Sequence, residues 1–60
     1  MEVWYVLKDT QSNKYYSDDK AFIEPNKKFA KRLRMGQAKS LQWEFNRIKG
    51  RESIVMEQIT

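Results

Sequence analysis

Apolar and polar positions alternate at the start of the chain. In residues 2–8, Val3, Tyr5 and Leu7 fall on one side of an extended backbone, and Glu2, Trp4, Val6 and Lys8 on the other. Branched and aromatic side chains favour a strand here. The second side is also apolar at its centre, which places the strand inside its sheet rather than at an edge. Residues 9–13 read as a polar turn, because Asp, Ser and Asn bond their own backbone and tolerate turn geometry. Lys14–Ser17 follows as a second strand, so residues 2–17 form a hairpin. Asp18–Lys20 is a second polar break, and Ala21–Glu24 a short extended piece.

The period then lengthens. Pro25 suits the first position of a helix, where its missing N–H would have no partner anyway. Phe29, Ala30 and Leu33 share about 100° of a helical wheel, with bases filling the rest. Gly36 disfavours a helix interior, which predicts a break near Met35–Gln37. Leu41, Phe45 and Ile48 form a new stripe, predicting a second helix over Gln37–Ile48 that Gly50 terminates. Glu52–Ile59 reads as a last strand beside the first. The expected fold is α+β: a three-stranded antiparallel sheet, made of the hairpin and the C-terminal strand. One main helix and a short preceding helix lie on one of its faces.

Length limits what such a chain can do. Sixty residues make one domain, residues 1–60. A chain of this size buries only about 60% of the surface its unfolded form exposes. Cysteine and histidine are absent, so there is no thiolate nucleophile, no imidazole base and no ordinary zinc site. Asp18, Asp19 and Glu24 cluster ahead of the first helix but lack calcium-loop spacing. Tyr15 and Tyr16 lack the setting of a catalytic phenol. No catalytic residue, metal or cofactor is therefore expected, and no small-molecule substrate. The longest apolar run, Val3–Leu7, is far shorter than the roughly 20 residues that span a bilayer. No signal-peptide pattern is present, so a cytoplasmic protein without a membrane partner is expected.

Charge carries the strongest functional signal. Residues 26–51 hold nine bases and one acid, whereas the whole chain is only +4. Between Glu24 and Glu44 stand Lys27, Lys28, Lys31, Arg32, Arg34 and Lys39 with no acid among them. On one helical surface these six would contact the phosphates of a nucleic acid. A solvated face that keeps the chain soluble is the alternative, although mixed charges serve that end equally well. The second signal is aromatic. Trp4, Trp43 and the pair Tyr15/Tyr16 lie off the main core stripes and would anchor a protein interface. The leading expectation is a non-catalytic module that binds nucleic acid. The alternative is an inhibitor or adaptor that binds a host protein through these aromatics, with a homodimer through the open sheet face as a variant.

Two resemblances bear on this. WYVLKD, then NKYY, then Ala30-Lys31-Arg32-Leu33, followed by a helix with a basic end and a short strand, resembles small α+β proteins of phages and prophages. That likeness implies an accessory protein working in the host cytoplasm. The order of hairpin and helix is also similar to the amino-terminal arm-type DNA-binding domains of tyrosine recombinases, which read a groove with their sheet. The chain departs from that pattern. It lacks the Gly-Lys hairpin tip, has Leu33-Arg34-Met35 where Phe-x-Thr would enter the helix, and adds a last strand. The family's DNA-contact residues therefore do not carry over.

Overall fold

Backbone pairing is organised about β1 (Tyr5–Asp9), an inner strand as its two-sided apolar pattern predicts. The computed structural model describes residues 3–50 and 53–59. Glu2 and Glu52, expected to begin the first and last strands, lie outside the described residues. The sheet has four antiparallel strands, not three, in the order β3-β2-β1-β4. β2 is Lys14–Tyr16, β3 is Phe22–Glu24 and β4 is Ile54–Gln58.

The hairpin closes as its residue types require. Asn13 takes a left-handed backbone with φ of 59°, which asparagine tolerates better than most residues. Its N–H donates to the Asp9 carbonyl at 2.8 Å. The extended piece after the second break becomes β3, with Tyr16 opposite Phe22. Ser17 holds this second reversal, its N–H and Oγ both donating to the Ala21 carbonyl.

One face of the sheet meets α1 (Met35–Lys49). Cross-strand neighbours share a face, so Leu7 stands with Met56 and Tyr16 with Phe22. Tyr5, Leu7, Tyr16, Leu33, Ala38 and Ile54 form the core, with Leu41 and Phe45 packed against it. The Tyr16, Phe22 and Phe45 rings meet edge to face or tilted, 5.1–5.6 Å apart. The helix therefore turns Ala38, Leu41 and Phe45 inward. Ile48, expected in that stripe, falls on its flank in the last turn and is 69% exposed.

The expected first helix does not form. Residues 25–34 make a single 3₁₀ turn, Lys27–Phe29, and then an extended strap. Asn26 caps the turn by accepting the Lys28 N–H at 2.9 Å. A full helix would stack Lys27 on Lys31, Lys28 on Arg32 and Lys31 on Arg34, at spacings where like charges repel. The extended path satisfies the sheet instead. Lys31 N–H donates to the Tyr16 carbonyl, and Leu33 exchanges two 2.8 Å bonds with Tyr5. Leu33 thus pairs with β1 beyond the point where β2 has left it. Ala30 and Leu33 are buried as expected, but Phe29 is 70% exposed.

Gly36 is the second residue of α1 rather than a break before it. A Cβ built there meets nothing within 4 Å, and its φ is not left-handed. Gly36→Ala is expected to stabilise the fold by about 0.5–1 kcal/mol through helix propensity and a less free unfolded chain. Gly50 ends the helix at φ 72°, with its N–H on the Arg47 and Asn46 carbonyls. Gly50→Ala is expected to cost about 1 kcal/mol, since L-residues are strained there. Urea midpoints of the two variants should move in opposite directions.

Candidate functional site

The six bases expected on one helical surface are dispersed by the strap. Only Lys39 lies on α1. Lys27 Nζ reaches Glu57 at 3.2 Å, and Lys31 Nζ reaches Asp18 at 3.2 Å. The Arg34 guanidinium lies 4.1 Å over the Trp4 ring. Lys28 and Arg32 are exposed.

These contacts also fix where the strap runs. Glu57 is the register partner of Val6 and shares its face, the one turned away from α1. The Lys27–Glu57 pair therefore brings the 3₁₀ turn to that face. Val6 is fully buried there, outside the α1-side core. The sheet face expected to stand open is thus covered at Val6 by the chain itself.

The four expected interface aromatics do not share a surface. Tyr16, only 4% exposed, is a core residue and drops out of any interface. Trp4 and Tyr15 are half-buried on the strap side, the first under Arg34 and the second with Lys8 Nζ 5.7 Å from its ring. Trp43 alone of the four is widely open, at 65%.

Trp43 has structured surroundings. Lys39 and Arg47 stand one helical turn to either side, and the Arg47 guanidinium lies 5.0 Å over the indole. On one flank an open groove of about 400 Å³ runs between α1 and β4, lined by Lys39, Gln42, Trp43, Asn46, Ile54 and Val55. On the other flank is a shallower depression bounded by Ser40 and Glu44. The helical period explains the order. Gln42 and Asn46 sit between the inward face of α1 and the Trp43 side, so they reach the rim of the sheet.

At that rim they bind β4. Ile54 N–H donates to Asn46 Oδ1 at 2.9 Å, and the Ile54 carbonyl accepts from Gln42 Nε2 at 3.0 Å and Asn46 Nδ2 at 3.3 Å. Gln42, Asn46 and Arg47 were not singled out from sequence. Gln42 and Asn46 carry a signal only as an i, i+4 amide pair, which means little until β4 is known to be beside them. No family model, curated protein or solved structure matches the chain.

Proposed function

We propose that the chain is a non-catalytic binding module that engages another protein through the surface centred on Trp43. The carrying observation is that exposed tryptophan, set between two cations and beside a groove at the sheet rim. Interface hot spots are rich in Trp and Arg, and the ring next to a groove offers a large apolar area to a partner. The bases around it favour an acidic partner and speed encounter more than they add affinity. Nucleic acid is the second reading. One ring between Lys39 and Arg47 also has the composition of a stacking platform for single strands.

A pull-down from lysate with wild type and Trp43→Ala, with and without nuclease at two salt concentrations, separates the two. A protein retained after nuclease and lost in the variant is expected. Loss of a hot spot weakens binding by about 2 kcal/mol or more, roughly thirtyfold. The exposed position should leave the melting temperature unchanged. Recovery that depends on nucleic acid and fades steeply with salt overturns the protein reading.

A further inference from the structure

Going beyond the Trp43 reading, we infer that the free edge of β4 joins two copies of the chain about a twofold axis at Glu57, so that their sheets run on into one another. β4 is an outer strand, paired only with β1. Two bonds bracket that ladder: Thr10 N–H to the Ser53 carbonyl at 2.9 Å, and Ile59 N–H to the Trp4 carbonyl at 3.0 Å. Antiparallel pairs alternate, so Val55 and Glu57 turn their backbone groups to β1, and Ile54, Met56 and Gln58 turn theirs outward. Gln42 and Asn46 satisfy Ile54. Among the described residues nothing bonds the outward N–H and carbonyl groups of Met56 and Gln58.

The opposite edge is built differently. β3 is three residues long, faces a register shift at Tyr15/Tyr16 and runs into Pro25. Short length, irregular pairing and proline all discourage strand addition. β4 has five residues, an even register and neither proline nor lysine. A bare charge would also guard an edge. The one charge on β4, Glu57, is not bare, because Lys27 Nζ lies 3.2 Å from its carboxylate.

The free stretch matches itself. With Glu57 on the twofold, Met56 pairs with the partner's Gln58, and Gln58 with the partner's Met56. Every open backbone group of those residues is then bonded, and none of the bonds needs Ile54. A twofold at Met56 would need Ile54, which Gln42 and Asn46 already hold. The block at Ile54 therefore sets the register. Side chains agree with it. On the strap side Val55 stands against the partner's Ile59, and both are half-buried in the single chain. Between these apolar pairs the two Glu57 carboxylates meet with a Lys27 beside each, a neutral cluster of two acids and two bases. A second copy supplies all of this by symmetry, whereas nothing on the edge specifies a foreign strand. The net charge of +4 on each chain acts at longer range and is screened beyond about 8 Å at physiological salt. A twofold that continues a sheet stands perpendicular to it, so both α1 helices, with their Trp43 surfaces, lie on the same face of the dimer.

Sedimentation over a concentration series measures the association, and circular dichroism checks that each variant folds. Wild type is expected to dimerise. Glu57→Lys gathers four bases at the twofold and Lys27→Glu four acids, so each alone should weaken dimerisation roughly tenfold or more. Mixed in equal amounts, the two variants should form a heterodimer about as tight as the wild-type dimer. An ion pair that acts only within one chain gives no such rescue. Gln58→Pro removes an outward N–H without touching the β1 ladder and should leave a monomer, whereas Gln58→Ala keeps that N–H and should dimerise. A wild-type monomer at every concentration overturns the inference, as does association that neither the charge variants nor Gln58→Pro alters. Association lost with Trp43→Ala but kept in Gln58→Pro puts the second copy on the helix and overturns the edge. A wild-type monomer that still captures a protein through Trp43 overturns the edge dimer alone, and a dimer that captures nothing overturns only the Trp43 reading.

Discussion

Leu33→Ala is expected to leave the protein largely unfolded. Leu33 lies outside every regular element, yet it is only 2% exposed and belongs to the core. Truncating such a leucine costs about 2–5 kcal/mol in lost burial and residual cavity. A chain this short rarely holds more than about 3–5 kcal/mol in total. Phe29 is the matched control. A helix over this region would place Phe29 and Leu33 on one buried face, whereas the strap leaves Phe29 in solvent. Phe29→Ala should therefore stay within about 0.5 kcal/mol of wild type. Urea unfolding, followed by circular dichroism and tryptophan fluorescence, gives both numbers. A Phe29→Ala variant destabilised as much as Leu33→Ala would restore the helix.

That pair of residues also marks where sequence stops being informative. Local signals were legible: the two faces of β1, the hairpin, the glycine that ends α1, and β4 beside β1. All but the last depend on neighbours within one turn or on one strand's alternation, and the last follows from β1 being an inner strand that needs a second neighbour. The strap does not. Its path is set by Tyr5, whose backbone needs a partner once β2 has left, and by acids far along the chain at Asp18 and Glu57. Helical periodicity in Phe29, Ala30 and Leu33 is real but loses to like-charge stacking and to that unpaired β1 segment. β3 was visible only as an extended piece, because three residues carry too little pattern to assign a partner. The functional surface was half legible. Trp43 stood off its helical stripe and is exposed. The six bases read as one surface only while Lys27, Lys28, Lys31, Arg32 and Arg34 were taken as helical and set beside Lys39 on the next helix. Nothing in the sequence marks Gln42 and Asn46 as closing part of an edge, since that role exists only when α1 crosses β4.

Asp9 shows the same limit from the side of stability, and acid should expose it. The sequence places it at the start of a polar turn, where a solvated carboxylate would be unremarked. In the fold it ends β1 and is buried. Gln11 N–H donates to its Oδ1 at 3.0 Å, and Lys49 Nζ lies 3.3 Å from its Oδ2. Burial alone would raise its pKa. The hydrogen bond from Gln11, the bond and charge of Lys49 and a smaller contribution from the Ser12 hydroxyl together outweigh burial, so the carboxyl sits below its ordinary value of 3.8. A lowered native value means that the unfolded chain binds the proton more readily. The stabilisation is therefore present above 3.8 and is lost as pH falls through that value toward the native one. Asp9→Asn keeps an acceptor for Gln11 but removes the charge that Lys49 faces. The expected loss at neutral pH is about 1.5–3 kcal/mol, the range of a hydrogen bond to a charged group. It sits toward the lower end because the Lys49 side chain is 34% exposed and partly screened. Urea midpoints of the two proteins should differ at neutral pH and converge as pH drops below 3.8. Added salt should narrow the neutral gap only in part, since the Gln11 bond is local and uncharged on one side. Curves that remain parallel down to acid would show that the Asp9 charge does not hold the hairpin turn against the end of α1.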